Sequence, residues 1–403
     1  MTDQVKIKEP PLFLMFLLIC IGTIGAVLYT PALPLITDHF NISDDLSELT
    51  MTFYLIGYAV GQLIYGPISN RLGRKPALYI GLSIAAFGAL LSVLAYYLNS
   101  FWLLTFSRLV FSLGASAGIQ VIFTVIGDFY KPPRNSQILS YLTLAFAIGP
   151  SIGITIGGYL TEYLGWVSCF YFLFIYCIIL LILVKLFPET NLEKDPHATK
   201  LKNISFEYFS KFKDKKVVVG GVLIGAAVAF SYIFATAAPF IAINRLGVNP
   251  SKYGLLNLMP SLGLVIGALT SAAFAKYIPP LKLVLYACIV TSIGACVMLI
   301  FFGFNFLNIY TLFIPFTIAI IGQPIIEANV ICLALECNKN KATTTAIINF
   351  INLSLSVIFV VLISLPATIV PISLPILFTG LAALIFYLYK KLKDLHNDQK
   401  PTS

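Results

Sequence analysis

The chain has 403 residues, of which 59% are hydrophobic and only 11% are charged, and its mean hydropathy is +0.92. A water-soluble protein of this size could not cover so much apolar surface with so few charges. The net charge of +9 comes from cations scattered over the sequence rather than gathered in one patch, which argues against a nucleic-acid partner.

Apolar segments long enough to cross a bilayer recur along the whole sequence. A window of about 20 residues finds six of them near residues 12–36, 49–69, 77–97, 102–126, 137–160 and 166–187. Six more lie near residues 217–243, 253–275, 282–303, 308–335, 342–365 and 371–389. Strands of a membrane barrel need only about 9–11 residues. The sequence therefore predicts an all-α membrane protein with 12 transmembrane helices.

The longest polar stretch divides the 12 spans into two sets of six. We predict an N-terminal six-helix lobe at residues 1–187, a cytoplasmic linker at 188–216, a C-terminal six-helix lobe at 217–390 and a cytoplasmic tail at 391–403. Two lobes of this kind favour a substrate site between them near the middle of the membrane.

The basic residues predict how the spans are oriented. If the N-terminus is cytoplasmic, every Lys and Arg lies on the cytoplasmic side except Arg245 and Lys252, which lie outside, and Arg108, which lies within span 4. This asymmetry is what the positive-inside rule describes. We predict that both termini are cytoplasmic and that the basic loops contact anionic membrane lipid.

Several kinds of chemistry lack their sequence signatures. The seven cysteines form no CxxC pair, and the three histidines lie outside the spans. No GxxxxGK[ST] loop is present, so ATP is not the direct energy source. The spans hold no arrangement of nucleophile and base. No metal and no cofactor are expected, and the sequence predicts a transporter rather than an enzyme.

Residues 66–76 form a short basic turn between spans 2 and 3, with the sequence GPISNRLGRKP. It resembles the loop 2–3 signature of the major facilitator superfamily, close to G-P-L-S-D-R-x-G-R-[RK]-P. The resemblance implies the major facilitator fold and a gating loop that contains Gly66, Asn70, Arg71, Gly73 and Arg74. The two glycines permit the tight reversal between the helices.

The gating loop departs from the family pattern at Asn70. The family has an acidic residue there, which helps to latch the two lobes together in the outward-facing state. Because Asn70 is neutral, that latch has lost its charge. The resemblance also predicts that Arg74 pairs with Asp128 at the cytoplasmic end of span 4.

Span 5 carries glycines four residues apart, at Gly149, Gly153 and Gly157, and Pro150 follows the first of them. This spacing gives a smooth groove for close helix approach. Span 8 offers a partner stripe of the same spacing, made of Gly263, Gly267, Ser271 and Ala275. The Gly-Pro start resembles the motif of drug–proton antiporters, where it forms a bending seam between lobes. Ordinary packing within one lobe is the alternative.

Two further segments resemble Bcr/CflA-type efflux pumps of the same superfamily. They are residues 29–34 (YTPALP) at the end of span 1 and residues 108–116 (RLVFSLGAS) in span 4, and residues 187–190 (FPET) also fit. The resemblance covers essentially the whole chain. The subfamily usually has an aspartate in span 1 where this chain has Val27, so the usual acidic partner of Arg108 is missing.

Ionisable groups inside spans are costly and therefore candidate functional residues. Arg108, Ser112 and Ser116 share a face of span 4 and are predicted to line a cavity, with a purely structural arginine as the alternative. Glu327 is the only carboxylate well inside an apolar run, and Gln323 lies one turn earlier. We predict that Glu327 carries the coupling proton; a glutamate used for packing or facing a loop is the alternative.

The predicted contacts of the substrate cavity combine aromatic, amide and hydroxyl side chains, which suit a large, partly apolar solute. They are Tyr29, Arg108, Ser112, Gln120, Phe230, Tyr232, Asn257, Asn329 and Asn349. For the aromatic side chains of span 7, core or lipid packing is the alternative.

Together these features predict a secondary active transporter of the bacterial inner membrane. It would export a small amphipathic drug or metabolite by proton antiport with alternating access, and a monomer is expected. An uncoupled facilitator or importer with the same fold is the alternative favoured by Val27 and Asn70. A receptor or scaffold that does not transport is a third reading, and binding without flux would identify it.

Overall fold

The computed structural model describes residues 9–130, 134–191, 194–196, 214–336, 341–363 and 371–397, and the regular structure in these ranges is helical throughout. The first half contains helices α1 Leu12–Val27, α2 Leu33–Phe40, α3 Asp44–Ser47, α4 Leu49–Leu72, α5 Arg74–Tyr97, α6 Phe101–Phe129, α7 Arg134–Leu164 and α8 Ser168–Leu183. The second half contains α9 Lys215–Pro239, α10 Pro250–Leu256, α11 Leu258–Phe274, α12 Pro280–Gly303, α13 Ile309–Ile320, α14 Gly322–Glu336, α15 Lys341–Ile363 and α16 Ser373–Asn397. The prediction of an all-α protein is confirmed.

Nine helical stretches in the described ranges are long and apolar enough to cross a membrane. They coincide with predicted spans 1, 3, 4, 6, 7, 8, 9, 10 and 12. Helices α4, α7 and α15, with 24, 31 and 23 residues, coincide with predicted spans 2, 5 and 11. The chain is thus a multi-pass membrane protein, while the full count of 12 spans stays a prediction.

Three predicted spans, 1, 8 and 10, are interrupted in the structure, and the break in span 8 is at Asn257 between α10 and α11. Helix α1 ends at Val27 and is followed by a turn and a 3₁₀ helix at Thr30–Ala32. Pro31 has no N–H to give to the carbonyl of Val27 four residues earlier, which ends the α-helical ladder there. Pro324 acts in the same way on Ile320, the last residue of α13.

The chain divides into two compact units. One comprises Met1–Tyr29 and Phe53–Ile204, and the other comprises Thr30–Thr52 and Ser205–Ser403. The predicted lobes are contiguous in sequence, whereas the structure groups the segment Thr30–Thr52 with the second unit. It does so because the 3₁₀ helix and α2 pack against α9, α10 and the π-helix Phe240–Arg245.

Within the first unit, small residues let α5 and α6 approach closely. A Cβ atom added to Gly88 would lie 2.6 Å from the Cα of Phe111, and one added to Gly114 would lie 2.9 Å from the Cα of Ala85. Close backbone approach of this kind is how helices associate where lipid removes the hydrophobic driving force. It fixes α6, the helix that carries Arg108, against its neighbour.

Within the second unit, stacked aromatic rings join α9 to α13 and α16. Phe234 stacks on Phe316 with ring centroids 3.7 Å apart, and Phe230 stacks on Phe378 at 4.6 Å. Buried aromatic pairs stabilise a core beyond the area that they bury. This cluster holds in place the helix that presents Ser231 and Tyr232.

Candidate functional site

Arg74 organises the loop between α4 and α5. Its Nε lies 2.9 Å from Oδ2 of Asp128, so the predicted ion pair is present. Its Nη1 donates to Oγ of Ser69 at 2.9 Å and to Oδ1 of Asn70 at 2.6 Å. Asn70 therefore still contacts the arginine, as a neutral acceptor in place of a carboxylate. Arg71 beside it is exposed.

Glu189, which follows span 6, contacts this loop. The loop motif itself did not predict that contact. Oε1 of Glu189 accepts from the backbone N–H of Arg74 at 2.9 Å, and its Oε2 accepts from that of Lys75 at 3.1 Å. The carboxylate thereby caps the N-terminus of α5, where the helix dipole favours negative charge. Gly73 has φ of +114°, and a Cβ there would lie 2.5 Å from Oε2 of Glu189. In the sequence, this glutamate was noted only as part of the FPET segment at residues 187–190, which fits the resemblance.

Arg108 lies in a cage of aromatic rings within the first unit. Its Cζ is 4.1 Å from the ring centroid of Tyr29 and 4.5 Å from that of Tyr54. Phe111 and Phe170 lie at 5.9 and 6.0 Å. A desolvated cation–π contact contributes about 2 kcal/mol. The rings therefore stabilise the guanidinium although its side chain is fully buried.

The hydrogen bonds of Arg108 are incomplete. Its Nη2 donates to the backbone carbonyls of Gly25 at 2.7 Å and Ala26 at 3.3 Å. Its Nε and Nη1 atoms are buried and have no hydrogen-bond partner among the described residues. Neither of the two ion pairs found in the described ranges includes Arg108. Val27, where the resemblance has an aspartate, follows Ala26 directly in the chain and is buried.

Ser112 and Ser116 of α6 face α4. A Cβ added to Gly57 or Gly61 would collide with Oγ of Ser112 or Ser116, respectively. Ser112 Oγ donates to the carbonyl of Leu109 in its own helix at 3.0 Å. The structure thus places these serines at a helix contact. Further along the helix Gln120 is half-buried and approaches Gly66, where a Cβ would lie 3.5 Å from its Nε2.

The glycines of span 5 pack against α1 inside the first unit. A Cβ on Gly149 would lie 2.5 Å from Oγ1 of Thr23, one on Gly153 would lie 3.3 Å from Cα of Ile24, and one on Gly157 would collide with the carbonyl of Leu28. Pro150 lies inside α7. The alternative of packing within one lobe is therefore what the structure contains. The seam between lobes stays a prediction.

The span 8 glycines also have a partner inside their own unit. A Cβ on Gly263 would lie 2.6 Å from the carbonyl of Thr317, and one on Gly267 would lie 2.7 Å from Cγ of Pro324. Further along the stripe, Ser271 accepts from Nδ2 of Asn329 at 2.9 Å. Asn329 is buried and joins α14 to α11, so the structure gives it a packing contact.

Glu327 belongs to a polar group shared by α9 and α14. The carboxylate is half-buried and lies close enough to Tyr232, also half-buried, for the two to interact electrostatically. One turn earlier, Oε1 of Gln323 accepts from Oγ of Ser231 at 2.6 Å. No cation pairs with Glu327 among the described residues. Of the predicted cavity residues in the second unit, Tyr232 is the one that the structure brings to this carboxylate.

The other residues predicted to line the substrate cavity lie at separate places in the second unit. Phe230 is buried in the aromatic cluster, which is the packing alternative. Asn257 is buried, and its Nδ2 donates to the carbonyl of Tyr253 at 2.9 Å between α10 and α11. Asn349 is half-buried on α15.

Two carboxyls between α2 and α4 lie outside the spans and were not expected from the sequence. Burial raises the pKa of Asp45, and the charge of Asp44 raises it further. Burial and the charge of Asp38 raise the pKa of Asp44, while Arg245 opposes that shift. Both groups therefore hold a proton more readily than they would in water.

The sequence profile of the Major Facilitator Superfamily matches residues 15–361. This chain therefore belongs to the major facilitator superfamily and is a membrane transporter. The predictions of this superfamily and of a transporter rather than an enzyme are confirmed.

Individual relatives agree with this assignment. An uncharacterized transporter from Rickettsia bellii is 28% identical, over 84% of this chain and 85% of its own length. A bicyclomycin resistance protein homolog from Haemophilus influenzae is 24% identical, over 83% of each chain. The second of these fits the predicted resemblance to Bcr/CflA-type proteins.

Solved structures show the same fold. A D-xylose–proton symporter superposes with a TM-score of 0.73 over 94% of this chain and 96% of its own, at 14% sequence identity. The prediction of the major facilitator fold is confirmed. At this identity the likeness concerns the fold alone.

Proposed function

We propose that this transporter exports a small amphipathic drug or metabolite in exchange for protons, by alternating access. The export direction is supported by the Haemophilus influenzae relative, which is named for resistance to bicyclomycin. The observation that carries proton exchange is the half-buried Glu327 in its polar group with Ser231, Tyr232 and Gln323. We place the protein in a bacterial inner membrane as a monomer with both termini cytoplasmic.

The carboxylate of Glu327 suits a proton carrier because it lies within a predicted span and no cation among the described residues compensates its charge. A charged side chain there costs about 2.5–3.5 kcal/mol on insertion scales, and protonation removes that cost. Proton binding therefore shifts the balance between conformations that expose the carboxylate differently. One proton moving across about 100 mV releases about 2.3 kcal/mol, enough for a roughly 40-fold solute gradient.

Proton exchange can be tested in everted membrane vesicles with ethidium or bicyclomycin as the added solute. We expect either solute, when transported, to release protons from acidified vesicles, and Glu327→Gln to abolish this signal because an amide cannot carry a proton. Asp394→Asn, at an exposed carboxylate near the end of α16, is the matched control and should behave like the unmodified protein. Normal proton-driven transport by Glu327→Gln would rule out Glu327 as the carrier.

An uncoupled facilitator or importer is the second candidate. It is favoured by two neutral residues at positions where the resemblance has acids, Val27 in span 1 and Asn70 beside Arg74. Solute flux with no accompanying proton movement, unchanged by Glu327→Gln, would support this candidate over the antiporter.

A further inference from the structure

Arg108 is a buried cation that has no anionic partner among the described residues. Its side chain has no exposed surface, and only Nη2 of its three nitrogens has acceptors among the described residues. Donors of a charged group are costly to bury without partners, since each retains its desolvation penalty. A buried group left unsatisfied in this way calls for a partner from elsewhere.

Two neighbouring hydroxyls, those of Tyr54 and Ser112, donate to backbone carbonyls. Tyr54 donates its hydroxyl to Gly22 at 2.5 Å, and Ser112 donates to Leu109. The ring centroids of Tyr29 and Tyr54 lie 4.1 and 4.5 Å from Cζ of Arg108, and its Nε and Nη1 are the donors left without acceptors among the described residues. The chemistry that completes this arrangement is an oxygen anion that accepts from these donors, attached to an apolar body that the rings can contact.

We propose that Arg108 binds the carboxylate of an amphipathic solute, which supplies the anion that is missing among the described residues around it. The inference rests on the proposed function in taking the solute to be transported, and it adds the chemical class of that solute: an aromatic or aliphatic carboxylic acid in its ionised form.

The position of Tyr29 gives the solute a way to reach the buried guanidinium. Helix α1 ends at Val27, and Tyr29 lies in the turn before the 3₁₀ helix at Thr30–Ala32. A side chain at such a break moves when the local backbone rotates, without unwinding a continuous helix. Displacement of the Tyr29 ring would open the space beside Arg108, while Tyr54 of α4 stays hydrogen-bonded to Gly22 of α1.

A binding experiment tests the proposal with 4-phenylbutyrate and its neutral amide, 4-phenylbutyramide, on the purified full-length protein. The chain has two tryptophans, and Trp102→Phe leaves Trp166 as the reporter. Trp166 packs edge-on against Phe170 with ring centroids 6.0 Å apart, and Phe170 is part of the Arg108 cage. We expect the carboxylate to bind about 10- to 100-fold more tightly than the amide, the factor that one hydrogen bond to a charged group contributes.

Variants identify the group responsible. Arg108→Gln should remove the preference for the carboxylate, and Arg108→Lys should retain part of it. Arg134→Gln, at an exposed arginine of α7, should leave it unchanged. Equal affinity of the unmodified protein for the two probes would overturn the proposal, and this measurement does not depend on whether Arg108→Gln folds. A preference for the carboxylate that persists in Arg108→Gln would also overturn it.

Two further measurements distinguish a carboxylate bound at Arg108 from the proton site at Glu327 and from a small inorganic anion. Glu327→Gln should keep the carboxylate preference, so a failure of proton exchange and a failure of the anion site give different results. Sodium chloride should neither reproduce the Trp166 signal nor displace the carboxylate. If chloride does both, the occupant is an inorganic anion and the proposed solute class is wrong.

Discussion

Among the described residues, the Arg74 side chain contacts Ser69 and Asn70 near the end of α4 and Asp128 near the end of α6, and of these three only Asp128 is charged. Replacing Asp128 with asparagine removes the carboxylate 2.9 Å from Nε of the largely buried arginine. We expect Asp128→Asn to destabilise the protein by about 1–3 kcal/mol, the usual effect of removing one partner from a hydrogen bond to a charged group. Thermal unfolding in detergent or nanodiscs measures it.

A second substitution provides a control for that prediction. Oδ1 of Asn70 already lies 2.6 Å from Nη1 of Arg74, so Asn70→Asp would return a carboxylate to the arginine. The double variant Asn70→Asp with Asp128→Asn should recover stability relative to Asp128→Asn alone. If the double variant is no more stable, the charge of the partner is not what stabilises the loop.

At the residue scale, the sequence predicted the side-chain contact that belongs to a known motif. It did not predict contacts between residues that only the folded chain brings together. The pairing of Arg74 with Asp128 was predicted because the resemblance based on the loop motif extends to the position of Asp128. Tyr54 and Phe170 were not connected with Arg108, since they lie on other helices and share no spacing with it. Glu189 was missed because it reaches the loop from the far end of span 6.

At the scale of elements, the contact between α7 and α1 depends on glycines that differ in the space available for an added Cβ atom. A Cβ on Gly157 would meet the backbone of Leu28, which cannot rotate away, whereas one on Gly153 meets Ile24 at 3.3 Å or more. We expect Gly157→Ala to destabilise the protein by about 1–3 kcal/mol, as overpacking does.

The neighbouring glycine is the matched control for Gly157→Ala. Gly153→Ala should cost clearly less, because small shifts of a side chain relieve its contacts and alanine favours the helix by about 1 kcal/mol. Thermal unfolding of both variants under one condition gives the comparison. Equal effects would show that the α1–α7 contact is looser than the structure has it.

The elements themselves were predictable because long apolar runs have few alternatives in a membrane. Every predicted span contains a helix, but the breaks after Val27 and Ile320 were not predicted. Each break is indicated in the sequence by a proline four residues later, but a hydropathy window does not detect prolines of this kind. The assignment of Thr30–Thr52 to the second unit has no local signal, since it depends on which helices the segment meets.

At the scale of the whole molecule, the orientation in the membrane follows from charge and can be tested with cysteine labelling. Lys252 and Lys276 are both exposed and lie at opposite ends of the span formed by α10 and α11. In a background with the seven native cysteines replaced, we expect Lys252→Cys to react with an impermeant maleimide from outside intact cells. Lys276→Cys should react only in everted vesicles.

Labelling of both positions from the same side would contradict that orientation.

The fold was the most predictable property of the molecule, because composition, span number and the loop motif all indicated it. Which side chains share a cavity was the least predictable. Ser112 and Asn329 are polar in sequence, yet the structure uses them to join helices.

The cap that Glu189 forms on α5 has a consequence for how the protein is made. The glutamate and the N–H of Arg74 are 115 residues apart in the chain. Spans 2 and 3 therefore enter the membrane well before the carboxylate that completes the turn between them has been synthesised, since a chain grows from its N-terminus. Until the end of span 6 emerges, the first turn of α5 must rely on water for its open N–H groups. The basic turn is thus finished last among the parts of the first unit, although it is among the first to be translated.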